Sequence, residues 1–502
     1  MSPRLPTPPW RLAALPLLLA LGACAFAPDG KPPVMAQPPQ YGIEPLPATG
    51  ASAQGVAQRY ARAAHPVPAW WKRYGSAALD AMVAEGLANS PDLAAAERNL
   101  AGAREQLRGQ VNASLLPSID AGAEASRKRA LTMPEMREPT ALYNVFTGQI
   151  QARYDLDLFG AARFENRSGA AQVAQQAFRF EAARRALVGN IVTGAITSAS
   201  LAERVALTEK QVVLARQVAR DTQRRYELGS ASQNDALQAD QDAATLAASL
   251  PGLRAQWLAT RHALAVLMGR TPDQAPPDLP FGSLAVPAEV PVVVPSELLA
   301  ARPDIRVADA ALQAAAADVG MATARLFPSL SLSASMGQGG FNWPAALSGA
   351  GSIWALGASL TQPIFHGGAM LAERRAAGER YAAATQQYKQ TVLTAFRDVA
   401  DTLARLDADG QALASAEASR RAAQQSHRNT VGRVRLGALA PYTAYASEQH
   451  YVAARLREVE YANARLTGTA ALFQAMGSPL SEPPAPPVEK TDPSPAPPRA
   501  QP

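Results

Sequence analysis

The chain has one cysteine, few aromatic residues and no long apolar segment. Cys24 is the single cysteine among 502 residues, so no disulfide bond can form within the chain. Aromatic residues make up 6% of the sequence. Beyond Cys24, no segment approaches the roughly 18 uninterrupted apolar residues of a membrane-spanning helix. These deficits exclude a disulfide-stabilised fold and a membrane domain built of helices.

The net charge of +6 does not indicate nucleic-acid binding. Arginine and lysine alternate with aspartate and glutamate along helical stretches and form no basic block. No basic patch with interleaved aromatic residues, as in RNA-binding modules, is present. We interpret the charges as solvated helix faces and expect no nucleic-acid partner.

Residue types that carry catalysis are scattered. The sequence has no His-Glu-x-x-His motif and no pair of cysteines, so neither a zinc site nor a convergent acid, base and nucleophile is indicated. We therefore predict no enzymatic activity, no metal and no catalytic cofactor. The five histidines are His65, His262, His366, His427 and His450.

The N-terminus is typical of an export signal. Arg4 and Arg11 precede an apolar run at residues 12–21, which is too short to span a bilayer comfortably. Leu21-Gly22-Ala23-Cys24 follows and looks like the lipobox of a bacterial lipoprotein. An ordinary secretory signal that contains a cysteine by chance is the alternative, and export follows from either.

The lipobox implies that residues 1–23 are removed and that Cys24 carries the covalent lipid. That lipid would be an N-acyl chain and an S-diacylglycerol on Cys24, with no other cofactor. Because Ala25 is not aspartate, the same resemblance implies sorting to the outer membrane.

Proline marks the connecting segments. Residues 24–75 begin with a Pro-rich tether, residues 271–296 form a second Pro-rich linker, and residues 479–502 combine proline and alanine with no apolar run. We expect extended connectors in the first two and a disordered tail in the third.

Between these connectors the sequence is duplicated. Five short segments recur in the same order, at offsets of 206 to 212 residues, and five matches in register argue against chance. We predict two structural repeats, residues 76–270 and 297–478. The matched segments are 89–93 with 301–305, 115–119 with 326–330, 157–160 with 363–367, 226–229 with 434–437 and 267–269 with 475–477.

Each repeat changes periodicity in the same order: helix, strand, strand, long helix, shorter helix. The alternation of apolar and polar residues at 150–158 is the clearest strand signal, and it fits both a membrane strand and a half-buried soluble strand. The predicted helices are 76–111, 161–228 and 232–268, then 297–326, 368–436 and 443–476; the other predicted strands are 119–125, 330–336 and 354–360.

The long helices and the few strands together indicate an oligomeric channel. A helix of 68 residues, as at 161–228, is roughly 100 Å long, and no globular domain needs one. Four strands cannot close a barrel, and lipid does not tolerate open sheet edges. Several copies must therefore share one barrel, and three copies would give about twelve strands and an aqueous lumen.

The chain resembles the TolC-like outer-membrane efflux channels, in particular the lipidated branch that serves resistance-nodulation-division pumps. The resemblance covers residues 65 to 478 and rests on Trp70-Trp71, Asn89 to Leu93, Tyr154 to Gly160, Gly229 with Asp235, Arg302 to Ile305, and Leu360 to Phe365.

The resemblance implies a fold that is mainly α with transmembrane β. It implies a homotrimer whose twelve-stranded barrel continues into a periplasmic α-helical barrel, and an equatorial domain formed partly by residues 24–75 and 271–296. It also implies outer-membrane lipid, a periplasmic adaptor and an inner-membrane resistance-nodulation-division pump as partners. The channel would be a passive conduit for drugs or other toxic small molecules. A type I protein secretion outlet is the alternative function.

The resemblance places a periplasmic gate at the turns around Gly229 and Gly437. Asp235, six residues after Gly229, matches an acidic gate position, but it would equally favour the start of the returning helix. The matching positions of the second repeat are Thr443 and Ala446, which are not acidic. The other gate candidates are Tyr442 and Tyr445, which would narrow the pore, and a group that would link helices or remain solvated: Arg224, Arg225, Tyr226, Arg433 and Arg435.

Overall fold

The computed structural model describes residues 26–36, 38–43, 45, 47–62, 65, 67–131, 140–293 and 295–480. The helices are α1 (Ala77–Asn89), α2 (Pro91–Leu115), α3 (Ala161–Glu227), α4 (Gln233–Leu267), α5 (Pro295–Ala301), α6 (Pro303–Ala324), α7 (Trp343–Ala346), α8 (Ala369–Arg435) and α9 (Tyr442–Ala475). The strands are β1 (Arg59–Arg62), β2 (Ser118–Leu131), β3 (Thr140–Leu156), β4 (Glu289–Val292), β5 (Ser329–Gly340) and β6 (Ser352–Thr361).

Each predicted first helix is in fact two helices. The expected helices 76–111 and 297–326 are interrupted at Ser90 and Arg302, each directly before a proline that begins the next helix. Ser90 has extended backbone angles (φ −63°, ψ 120°), because the residue before a proline is held out of the helical region. The prediction of one continuous helix per repeat was wrong at this point.

The long helices and the returning helices agree with the sequence-based prediction. α3 and α8 each contain 67 residues, and α4 and α9 contain 35 and 34. α4 continues through Pro251, which lies inside the helix. In the described residues, the order of the main helices and strands is the same in both halves of the chain, as the duplication predicts, and the short helix α7 is an addition between β5 and β6.

The returning helices also end alike in the two halves. Gly269 follows α4 and Gly477 follows α9, both with positive φ (75° and 68°). A Cβ at Gly269 would overlap the backbone of Asn89, and a Cβ at Gly477 would overlap that of Ala301. Glycine is therefore required at both positions, first for the left-handed turn and then for the close approach of a second backbone.

The main sheet has four antiparallel strands in the order β2-β3-β5-β6. All four strands are longer than predicted. In β2 the alternation is lost at Arg127 to Arg129, and in β5 it is lost at the glycines. β3 nevertheless ends at Leu156, two residues before the predicted end. The Asp157 carboxylate there accepts hydrogen bonds from the backbone N–H groups of Ala162 and Arg163 (3.2 and 3.0 Å), so it caps α3.

The register gives the sheet one apolar and one polar face. Ile150, Met336 and Trp354 are register partners across β3, β5 and β6, and all three side chains lie on the same face. They are between 51% and 78% exposed in the isolated chain. On the opposite face Asp155, Ser331 and Ser359 are partners. The sheet thus separates an apolar surface from a polar one.

A second, two-stranded sheet was not predicted. β1 comes from the N-terminal tether and β4 from the Pro-rich linker, and they pair in parallel. Beside them, Arg465 of α9 is 1% exposed and donates to the carbonyl oxygens of Ala53 (2.7 Å) and Val56 (2.9 Å) and to Gln58 Oε1 (3.0 Å). These bonds hold the tether, which is more ordered between residues 47 and 62 than its proline content indicates.

The described residues form two compact units, and each takes segments from both repeats. One unit contains Ala95–Glu181 and Pro303–Leu393 and includes the four-stranded sheet. The other contains Gln37–Ala94, Ala182–Arg302 and the segment from Thr394 onward, with a core in which Trp70 stacks on Phe473 (ring centroids 5.4 Å apart). Within the described ranges, no helix combines the length and the apolarity needed to cross a membrane.

Candidate functional site at the helix turns

The first turn joins α3 to α4 around Gly229. Gly229 has a positive φ of 73°, and the N–H of Ser230 donates to the carbonyl of Arg225 (2.7 Å). This closure is the left-handed helix end that glycine favours. The chain then reverses direction and α4 begins within four residues.

Asp235 forms a capping box with Ser232 at the start of α4. The Asp235 N–H donates to Ser232 Oγ (3.1 Å), while the Ser232 N–H donates to Asp235 Oδ2 (3.0 Å). The Ser232 hydroxyl also donates to Oδ2 (2.8 Å). These hydrogen bonds to the ionised carboxylate, with a smaller contribution from Arg225, lower the pKa of Asp235 below its ordinary value. Asp235 therefore makes the contacts expected of a residue that stabilises the start of a helix, and its carboxylate remains charged and exposed.

The second turn closes in the same way but lacks this cap. Gly437 also has a φ of 73°, and the N–H of Ala438 donates to Arg433 O (2.8 Å). α9 then starts at Tyr442 after Pro441, with no side-chain cap. The hydroxyl of Thr443, at the position matching Asp235, donates to Ala440 O (2.6 Å). The two turns thus share a backbone geometry and differ in charge.

One contact links the two turns within the chain. The Arg225 guanidinium, in the last turn of α3, lies 4.4 Å from the ring centroid of Tyr442, in the first turn of α9. The same guanidinium donates to Ser230 O (3.2 Å). A cation over a tyrosine face is attracted by the ring quadrupole, typically by about 0.5–1 kcal/mol at an exposed site. Arg225 therefore ties the first turn to the start of the second returning helix.

The other predicted arginines are placed differently. Arg224 lies on a groove of about 410 Å³ between α3 and α4, together with Glu227 and Asp240. Arg433 and Arg435 lie in the last turn of α8 with exposed side chains. Tyr445 is half-buried one turn beyond Tyr442. Of the candidates, the structure brings together Tyr442 and Arg225, which is one of the arginines predicted to link helices near the turns.

A buried ionic network above the turns was missed by the sequence analysis. Glu458 of α9 is 8% exposed, and its Oε2 lies 2.8 Å from Arg455 Nη1 and 2.8 Å from Arg420 Nε. The Arg420 contact is ionic, since its geometry is not that of a hydrogen bond. Arg455 also donates to Glu203 of α3 (2.7 Å). The interpretation of these charges as solvated helix faces was wrong, because the network joins α3, α8 and α9.

The predicted lipidation residue, Cys24, and the predicted signal peptide lie outside the described residues. The described chain starts two residues later, at Phe26, whose ring packs on Phe327 (centroids 4.9 Å apart). Phe327 in turn stacks on Phe159 (5.0 Å). The first described residue is therefore anchored near the ends of strands of the main sheet, since Phe159 follows β3 and Phe327 precedes β5.

The chain is duplicated, and it combines two long helices with a sheet that has one apolar face, one polar face and open edges. These features define a subunit of an outer-membrane channel. The outer membrane efflux protein family matches residues 82–270 and 294–478. The chain is 30% identical over 475 residues to the pyoverdine export outer membrane protein OpmQ of Pseudomonas aeruginosa, covering 93% of this chain and 96% of that protein. This chain belongs to the outer membrane efflux protein family, and its location is the outer membrane, from which the channel extends into the periplasm.

Solved structures show the same fold. The CmeC outer membrane channel of Campylobacter jejuni is similar with a TM-score of 0.77 at 20% identity, covering 92% of this chain and 96% of that one. VceC, an outer membrane protein of Vibrio cholerae, has a TM-score of 0.70 at 25% identity and covers 83% and 100%. The predicted fold class of a TolC-like channel is confirmed by these similarities.

Proposed function

We propose that three copies of this chain form a passive conduit that carries small molecules through the outer membrane and catalyses no reaction on them. The observation that carries the proposal is the four-stranded sheet with one apolar face and two open edges, at β2 and β6. Unpaired backbone groups at those edges have no partner in lipid, so neighbouring copies must supply one. Three copies give twelve strands, enough to leave an aqueous lumen.

Partner proteins would supply the energy for transport and would select the cargo. An inner-membrane pump of the resistance-nodulation-division class would deliver the cargo, and a periplasmic adaptor would connect the pump to the channel. The name of OpmQ, which refers to pyoverdine export, supports a small-molecule cargo over a protein cargo. A covalent lipid on Cys24 would anchor each copy to the membrane.

Within this function, the two helix turns would form the periplasmic gate. Asp235 supplies an exposed negative charge at the first turn, and the Arg225 to Tyr442 contact restrains the turns of one copy. Thr443 leaves the second turn uncharged at the matching position. Of the two matching gate positions, only the first would therefore be acidic in each copy.

The proposal is tested by measuring mass and conductance on the same sample. The full chain is purified in detergent and its mass determined by light scattering, then it is inserted in planar bilayers. We expect a species of three chain masses that conducts ions. A stable monomer, or a trimer that never conducts, would overturn the proposal.

A further inference from the structure

Among the described residues of the main sheet, two arginines are the only charged residues on the apolar face. That face consists of the odd-numbered positions of β2 and the even-numbered positions of β3, β5 and β6, as the strand register shows. Among residues 118–130, 140–156, 329–340 and 352–361, it contains no acidic residue. Its two charges, Arg127 and Arg129, are both exposed on β2.

Both arginines lie at the end of the sheet that is far from the helices. β2 starts three residues after α2 ends, so its early residues are nearest to the helices. At about 3.4 Å per residue and a tilt near 40°, Arg127 lies roughly 21 Å above Ile119 and Arg129 roughly 26 Å above it. The apolar band of a membrane barrel is about 25 Å tall. With Ile119, the first residue of β2 on the apolar face, taken as the inner edge of that band, the arginines lie at its outer edge.

An aromatic pair marks the same boundary. Ala125, two residues before Arg127, is the register partner of Phe146. The Phe146 ring lies 4.5 Å from that of Trp343 (centroid to centroid), and Trp343 is 60% exposed. Aromatic residues gather where a barrel leaves the hydrocarbon, and charged lipid groups begin just beyond.

The charges of the polar face are arranged differently. Lys128, between the two arginines, points to the polar face and its Nζ lies 3.3 Å from Glu124 Oε1. On β3 of the same face, Arg153 Nε lies 3.5 Å from Asp155 Oδ1. Polar-face cations thus have carboxylates beside them. Arg127 and Arg129 instead have Asn144 and Leu142 as their register partners, so an anion for them must come from outside the sheet.

We propose that Arg127 and Arg129 bind the phosphate groups of a phosphorylated glycolipid in the outer leaflet of the outer membrane. The proposal rests on the proposed function, in which the apolar face contacts lipid. Arginine suits the partner because its planar guanidinium donates two parallel hydrogen bonds to phosphate oxygens. The two residues are two positions apart on one face, so both reach the same headgroup layer.

The test compares glycolipid binding with and without phosphate. Full-length protein in detergent is titrated with lipid A that carries both phosphates, and with lipid A from which they have been removed, and binding is followed by native mass spectrometry. We expect the phosphorylated form to bind at least 10-fold more tightly. The double variant Arg127→Ala/Arg129→Ala should bind it roughly 10- to 30-fold more weakly, since each basic group near an anionic surface changes affinity roughly fivefold or slightly less.

Matched variants control for charge and folding. Lys128→Ala removes one charge from the same strand on the opposite face and should leave lipid A binding unchanged. Arg127→Lys/Arg129→Lys keeps the charge and should bind with intermediate affinity. Equal binding by the double alanine variant and the original protein, or equal binding of both lipid A forms, would overturn the proposal.

Oligomeric mass and conductance are measured on the same samples. A conducting trimer without phosphate-dependent binding would contradict the lipid site alone. An original protein that forms no trimer would contradict the proposed function itself.

Discussion

The guanidinium of Arg225 lies over the ring of Tyr442, 4.4 Å from its centroid, and connects the last turn of α3 to the first turn of α9. These residues are 217 positions apart in the chain and belong to different repeats. The contact therefore links the two duplicated turns to each other, as the proposed gate requires.

We expect Tyr442→Ala to raise the conductance of the channel. The change removes the ring that Arg225 contacts and frees space at the start of α9, so the turns separate more easily. Single-channel recording in planar bilayers measures the effect. Tyr442→Phe is the control, since phenylalanine keeps a ring face for the cation, and its conductance should stay close to the original. Equal conductance for Tyr442→Ala and the original protein would remove Tyr442 from the gate.

We expect Asp235→Ala to raise conductance and to lower the preference for cations over anions, because the exposed carboxylate is lost. Reversal potentials in a salt gradient measure the preference. Ser232→Ala is the matched control, because it breaks the same capping box at a cost of about 1 kcal/mol but keeps the charge. If Ser232→Ala changes the cation preference as much as Asp235→Ala does, the carboxylate acts only through the helix start.

The capping box of α4 also predicts a pH dependence. Because the folded protein lowers the pKa of Asp235, the cap contributes stability above the ordinary aspartate pKa and loses it as the pH falls through the lower folded value. The protection of the first turn of α4 against hydrogen exchange, relative to the intrinsic exchange rate at each pH, should therefore fall only in strongly acidic buffer. In Asp235→Asn this acid-dependent change should be absent, and its persistence would contradict the assignment.

Glu458→Gln should lower the free energy of unfolding of the unit that contains α9 by about 2 kcal/mol. Removal of the buried carboxylate charge leaves Arg455 and Arg420 without their shared partner, and this cost is reduced because both arginines are partly exposed. Thermal unfolding in detergent measures the loss. Glu373→Gln is the control, since its ion pair with Arg380 is more than half exposed, and the effect there should stay below about 1 kcal/mol.

Cys24→Ala should abolish incorporation of labelled palmitate while leaving the four-stranded sheet able to form. The prediction follows from the Leu-Gly-Ala-Cys sequence at residues 21–24, in which Cys24 would become the N-terminus after cleavage. Metabolic labelling followed by electrophoresis measures it. Continued labelling of the variant would show that the lipid is attached elsewhere.

The sequence alone determined the repeats, the long helices and the four strands of the main sheet. The alternation in β3, the recurring segments and the uninterrupted helical stretches are all local signals. The helical stretches placed α3 and α8 to within one residue at each end. The resemblance named the family, and the lack of convergent catalytic residues agreed with a channel. The prediction of one continuous first helix in each repeat was wrong, because the prolines at 91 and 303 each start a second helix.

The tertiary structure decided the roles of individual charges. Periodicity assigns a charged residue to a helix face but does not reveal what packs against that face, so Glu458 was interpreted as solvated although it is buried and contacts Arg420 of α8. Arg465 binds the tether from more than 400 residues away along the chain, a distance that no local pattern spans. The strand register, not composition, separated Lys128 from Arg127 and Arg129, since neighbouring residues of a strand point to opposite faces.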